Sequence, residues 1–95
     1  MIKSFADKET EKVYHQLFSK KLPQTIQKGA LRKLLMLDNA ENINDLRIPP
    51  ANHLEQLKGD RKKQYSITIN KQYRLCFEVR NNNDFENVEI VDYHD

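Results

Sequence analysis

The apolar positions change period once along the chain. Through roughly its first forty residues they recur at helical spacing. Val13, Tyr14, Leu17 and Phe18 form one stripe; Ile26, Ala30, Leu34 and Leu37, with Leu31 and Leu35 beside them, form a second. Asp7 stands where it can cap the first helix, K-E-T-E supplies an acidic first turn, and Lys20 and Lys21 suit the C-terminal end. Pro23 sits where a second helix begins and Asn39 where it stops. Gly29 inside that helix costs about 1 kcal/mol against Ala, which points to close packing between the two helices. N-I-N-D-L-R adds one further turn before Pro49-Pro50 breaks the pattern.

From Leu54 the period is two. In Y-S-I-T-I-N, residues Tyr65, Ile67 and Ile69 face one way; in Q-Y-R-L-C-F-E-V, Tyr73, Leu75, Phe77 and Val79 alternate with Gln72, Arg74, Cys76 and Glu78. The very short Asn70-Lys71 connection makes these two strands a tight antiparallel hairpin. Asn81-Asn82-Asn83-Asp84 is a turn cluster, N-V-E-I-V-D-Y is the next strand, and L-E-Q-L before Gly59-Asp60 pairs with the strand after it. Ile2–Phe5 reads as a short first strand held by a later one. Helices in one block and strands in another mean an α+β domain spanning 1–95, with two N-terminal helices on one face of a mainly antiparallel four- to five-stranded sheet. Tyr73, Leu75, Phe77 and Val79 should meet the helices, and the face carrying Arg74 should be open.

Composition narrows the class. No run of 18 apolar residues exists and M-I-K-S-F-A-D-K has no apolar targeting core, so neither a membrane span nor a signal peptide is expected. The one cysteine, Cys76, cannot form an internal disulfide, fits a reducing cytoplasm and reads as sheet filling. The net charge of +2 hides an asymmetry. Residues 54–82 hold seven basic against three acidic groups, while residues 83–95 hold five acids and no Lys or Arg. A basic middle beside an acidic last strand suits a surface that faces a polyanion.

The residues able to do chemistry cluster accordingly. Lys58, Arg61, Lys62 and Lys63 surround Gly59, Arg74 lies on the open face by parity, and Asp92, Tyr93 and His94 end the last strand. Together they can surround one shallow basic bowl. Cleaving RNA without a metal needs a base for the 2′-hydroxyl, an acid for the departing 5′-oxygen, and cations for the charge that develops on phosphorus. His94 can exchange a proton near neutral pH, Tyr93 offers a hydroxyl and a stacking ring, Arg74 a planar fork, and Lys58 a point charge or a base. His15, His53 and His94 lack metal-ligand spacing, and no phosphate-cradling glycine loop is present, so no metal or other cofactor is expected. His15 reads as a surface residue of the first helix.

M-I-K-S-F, L-x-x-L-K-G-D-R, Y-S-I-T-I-N-x-Q-Y-R-L-C-F and V-E-I-V-D-Y-H together resemble the HigB ("plasmid maintenance system killer") toxins of the RelE/ParE superfamily, over essentially the whole chain. The resemblance implies a cytoplasmic, ribosome-dependent endoribonuclease that cuts mRNA in the decoding site. It also implies neutralisation by a helix-turn-helix antitoxin of the HigA type, through which alone the toxin meets operator DNA. Lys58, Arg74, Tyr93 and His94 occupy the motif positions associated with cleavage, with Asp92 beside them. Some relatives carry a histidine where this chain has Glu55; His53 is the nearest substitute, of the same strand parity if the strand begins that early. Some carry an arginine where this chain has Asn70, leaving Lys71 in its place. Asn70 and Lys71 therefore join Arg61, Lys62 and Lys63 as expected substrate contacts. Two rival readings stand: a non-catalytic inhibitor of DNA gyrase, as in the ParE branch, and a plain basic RNA-binding module. The D-Y-H ending with Lys58 and Arg74 favours cleavage.

Overall fold

The computed structural model describes residues 1–61, 63–81 and 83–93, with Arg61 described by its backbone alone. Two helices, α1 (Lys8–Tyr14) and α2 (Gln24–Asn39), precede strands β1 (Glu55–Gln56), β2 (Gln64–Thr68), β3 (Tyr73–Arg80) and β4 (Asp84–Asp92). The strands form one antiparallel sheet in the order β1-β2-β3-β4, an α+β architecture. Short 3₁₀ turns at Ile43–Arg47 and Pro50–Asn52 carry the chain from α2 to β1. Among the described residues, no helix is long and apolar enough to cross a membrane.

Asp7 caps α1 by accepting the Thr10 N–H at 2.7 Å. The helix stops earlier than its apolar stripe predicts. Gln16 turns left-handed at φ 63°, so that its N–H reaches the Val13 carbonyl and the Leu17 N–H reaches the Lys12 carbonyl, the paired bonds of a Schellman stop. Leu17 and Phe18 therefore leave the stripe and stand 59% and 60% exposed, and Lys20 and Lys21 lie in the following loop, beyond the helix end. That loop is pinned at Ser19, fully buried, whose hydroxyl donates to Glu9 at 2.6 Å while the Gln27 amide brackets its backbone. The Ser19 bond holds the Glu9 carboxyl below its ordinary pKa.

Helix α2 follows its pattern more closely. Pro23 occupies the cap, Asn39 is the last helical residue, and Ile26, Ala30, Leu34 and Leu37 are buried. Leu31 is half-buried and Leu35 exposed, so the apolar face is narrower than the sequence implies. A Cβ at Gly29 would meet only the Ile69 side chain, at 4.0 Å, an ordinary contact with the sheet side. Close approach of the helices is therefore not what places glycine there.

The core lies between α2 and the inner face of the sheet, where Ile67, Leu75, Phe77, Phe85, Val88 and Ile90 meet the α2 stripe and Tyr73 and Val79 pack against them. Cys76 is fully buried on the other face, consistent with sheet filling. Phe85 and Val88 both reach the core although three residues apart, because β4 carries a bulge. The register shifts between Cys76 and Glu78, and Asn87 takes φ 53°. Asn is among the residues that tolerate this region, and its amide here donates to Glu78 at 3.2 Å. The β2–β3 connection is longer than the two residues expected. Four residues separate the strands, and Asn70 Oδ1 accepts both the Gln72 and Tyr73 N–H groups to close the turn.

Residues 2–5 run parallel to β4 through isolated bridges, Ile2 with Phe85 and Phe5 with Val88, rather than as a full strand. Asp38, near the end of α2, ties this segment down by accepting the Ile2 N–H at 2.9 Å and the Tyr14 hydroxyl at 2.7 Å. Partial burial of Asp38 acts to raise its pKa. The Ile2 N–H, the Tyr14 hydroxyl and the N-terminal charge outweigh that and hold the carboxyl low. Conversely, the Asp38 bond pushes the Tyr14 hydroxyl up.

Asp38→Ala should cost about 2 kcal/mol at pH 7, the worth of hydrogen bonds to a charged acceptor. Because the folded-state pKa is depressed, this stabilisation is present above the unfolded value of about 3.9 and is lost as pH falls through the folded one. Denaturant unfolding of both proteins at pH 7 and pH 3 checks this. A penalty unchanged at pH 3 would show that the charge plays no part.

Candidate active site

The site is built around Arg74. Alternation along β3 places it on the helix-free face, yet only 15% of its side chain is exposed. Its Nε donates to the Ser66 hydroxyl of β2 at 2.8 Å, and its Nη2 donates to the His53 carbonyl at 2.8 Å. Glu55 of β1 lies 3.5 Å from Nη2, and the Tyr93 ring lies beneath the guanidinium carbon at 5.5 Å. The expected open face is thus covered at this point. Nε and Nη2 of the fork are thus occupied by the protein, and Nη1 has no partner among the described residues.

Tyr93 follows β4, and its N–H donates to the Gln72 carbonyl at 2.7 Å, which extends the strand pairing by one step. Parity puts its ring on Arg74's side. Lys58 and Tyr93 line one hollow of about 230 Å³ with Glu55, Gln56 and Leu57. Gly59, at φ 68°, takes a left-handed turn that a side chain would strain, and Lys58 precedes it in the exposed stretch leading to the Gly59–Arg61 turn. A second hollow of about 510 Å³ is lined by Arg74. His53, Asn70 and Lys71 line it, together with Lys33 from α2.

The structure therefore sets Tyr93 against Arg74 and beside Lys58, and gathers His53, Asn70 and Lys71 in the hollow that Arg74 lines. His53 gets there by a different route from strand parity: β1 begins only at Glu55, and His53 precedes it in a left-handed conformation at φ 47°. Asp92 is the cross-strand partner of Tyr73, hence on the helix-bearing face, and accepts the Gln72 amide at 3.2 Å. Lys63 is an exposed turn residue. His94 and Lys62 lie outside the described residues, as does the Arg61 side chain. His15 is exposed, as expected, but stands at the C-terminal cap of α1 and not within the helix. Among the described residues, no three His, Cys, Asp or Glu side chains gather as a metal site would require.

Lys33 was not singled out by sequence. Burial first, then the nearby Arg32 charge, push its pKa down. It occupies a polar position of an amphipathic helix, as many solvated lysines do, so no local signal marks it.

Comparison with known proteins follows the same lines. A family model described as the RelE-like toxin of type II toxin–antitoxin system HigB matches residues 3–94. Toxin HigB-1 of Vibrio cholerae is 44% identical over 83 residues, covering 82% of this chain and 83% of that protein. A protein of Haemophilus influenzae described only as uncharacterized is 55% identical over 62 residues, which is 65% of this chain and 61% of that protein.

Arg74→Lys keeps the charge but cannot hold Ser66 and the His53 carbonyl together. Stability should fall by about 1–2 kcal/mol, one or two hydrogen bonds' worth. Amide exchange at His53 and Leu54 should quicken more than in the core strands. Equal exchange in both proteins would show that Arg74 does not hold this segment.

Proposed function

The chain belongs to the HigB-like family of RelE-like toxins from type II toxin–antitoxin systems, and from that premise we propose that it is a ribosome-dependent endoribonuclease that cuts mRNA in the decoding site. The observation that carries this reading is the Tyr93 ring, which lies against the Arg74 guanidinium and lines one hollow with Lys58, so that groups from three separate parts of the chain come close on the helix-free face. A gyrase inhibitor has no use for that arrangement.

In this mechanism a base removes the 2′-hydroxyl proton and the 2′-oxygen attacks the adjacent phosphorus. The bond to the 5′-oxygen breaks and an acid protonates that oxygen, leaving a 2′,3′-cyclic phosphate and a 5′-hydroxyl. Lys58 and the Nη1 edge of Arg74 stabilise the charge that grows on the phosphoryl oxygens. Tyr93, beside Arg74, offers its hydroxyl to the substrate. His94, one residue further on, is the proton carrier, with His53 and Lys58 as the remaining groups able to exchange a proton. Nothing rigid in this shallow site aligns the 2′-oxygen for attack, and orientation can be worth about 7–11 kcal/mol of barrier. The ribosome supplies it. The partner that restrains the toxin is a HigA-type helix-turn-helix antitoxin, through which alone the pair reaches operator DNA, and the whole cycle runs in the cytoplasm.

Purified protein in EDTA should cut mRNA on translating ribosomes and leave naked mRNA nearly intact, read by primer extension. Equal cutting of both removes the ribosome requirement; intact mRNA with DNA damage in expressing cells moves the protein to the gyrase-directed branch.

His94→Gln should slow cleavage by about 10²–10⁴, the usual worth of a general acid or base. Tyr93→Phe keeps the stacking ring, so a comparable loss there assigns the hydroxyl a role in the chemistry. Wild-type cutting by His94→Gln would pass the proton transfer to Lys58 or His53.

A further inference from the structure

The hollow lined by Arg74 also takes in Lys33, which the cleavage chemistry described above does not use, and its lining is unusual. Lys33 of α2, Lys71 of the β2–β3 turn and Arg74 of β3 converge on it with His53, and among the described residues no carboxylate lines it. The neighbouring hollow, by contrast, includes Glu55. Thr68 and Asn70 add polar side chains to the wall.

Lys33 does not reach this place by chance of a flexible side chain. Asn52 is fully buried beneath it, and its amide nitrogen is committed to the Leu46 carbonyl at 3.0 Å and to the Met36 sulfur at 3.1 Å. That leaves Asn52 Oδ1 to accept from Lys33 Nζ, at 2.5 Å. An ammonium has three donors and this contact uses one. The cation is therefore held, half-buried, at the edge of a hollow whose one described counter-charge, Glu55, is paired with Arg74 from outside the lining. Drawing cations together in partial burial is costly unless an anion joins them. A tetrahedral phosphate fits the donors present: Lys33, Lys71 and the polar groups between them.

We propose that this hollow binds a backbone phosphate of the single-stranded RNA, next to the phosphate that is cut, with Lys33 as a substrate contact and Asn52 as the residue that positions it. The inference rests on the reading of the protein as an RNA-cutting toxin. Arg74 and Tyr93 form the wall between the two hollows, so a strand crossing that wall places successive phosphates one on each side. Lys33 then fixes where along the strand the reacting phosphate lies, without touching it.

The test uses a 2′-O-methyl oligouridine, which binds without being cut, titrated into the whole protein from 50 to 300 mM salt. Lys33→Met keeps length and removes the charge. It should lower the slope of log affinity against log salt by about 0.7 and weaken binding about fivefold at 0.1 M salt, the value for one single-strand phosphate contact. Lys71→Gln, on an exposed turn, should do the same with no demand on folding, and Lys33→Arg should restore the wild-type slope. Lys28→Gln, on the other side of α2, should change nothing. An unchanged slope in both Lys33→Met and Lys71→Gln, or no binding of the oligonucleotide by wild type, overturns the proposal. Weaker binding with an unchanged slope also overturns it, since Lys33 would then act through packing alone. Ribosomal cleavage by the same wild-type preparation is measured in parallel. Cleavage with a Lys33-independent slope sinks the hollow and keeps the nuclease; a Lys33-dependent slope without cleavage does the reverse.

Discussion

The Arg74 guanidinium is where four pieces of chain meet: β1 through Glu55, the 3₁₀ turn before it through the His53 carbonyl, β2 through Ser66, and the end of β4 through the Tyr93 ring. Nε and Nη2 of this largely buried guanidinium are committed to protein acceptors, and each donor so committed becomes a constraint on another element. β1 has only two residues in the ladder and is weakly held by strand pairing alone. Residues 53–58, which carry His53 and Lys58, therefore owe much of their position to one side chain on the neighbouring strands. Ion pairs of this kind contribute modestly to stability. Their value here is geometric, because they fix the wall between two hollows.

Charge along the helix-free face is graded by the same strand parity that places Arg74. Two steps along β3 stands Glu78, opposite Glu86, and between them in the ladder Cys76 is opposite Glu89. Arg80 compensates part of this through a 2.8 Å contact with Glu86. The face is thus more positive at the Arg74 end and more negative at the other. The opposite face serves support: Asp38 ties the N-terminal residues and α1 to α2, and the α2 stripe closes the core.

Several elements could be read directly. The α2 stripe, the Asp7 cap and the antiparallel alternation of β2 and β3 all follow from local period and local hydrogen-bonding chemistry, and each is present. The errors have a common form. Leu17 and Phe18 continue a helical pattern that Gln16 ends by turning left-handed, at a residue with no special preference for doing so. Asn87 inserts a bulge that makes Phe85 and Val88 share a face, against simple alternation. Both are backbone decisions whose stabilisation comes from contacts elsewhere: the Ser19–Glu9–Gln27 cluster for one, the bridges to residues 2–5 for the other.

By itself the sequence determined the periods, the faces and the supply of cations, because a strand repeats every two residues and a helix every 3.6 whatever surrounds them. Arg74's side of the sheet, and the company of Tyr93 on it, follow from that geometry. Which cations share a hollow was decided only by the tertiary structure. Lys33 and Lys71 are 38 positions apart, and they meet because α2 lies over the sheet and the 3₁₀ turn brings Asn52 beneath Lys33. His53 likewise faces Arg74 through a left-handed turn rather than through strand parity. Electrostatic environment is a sum over neighbours in space, and a one-dimensional pattern records only neighbours along the chain.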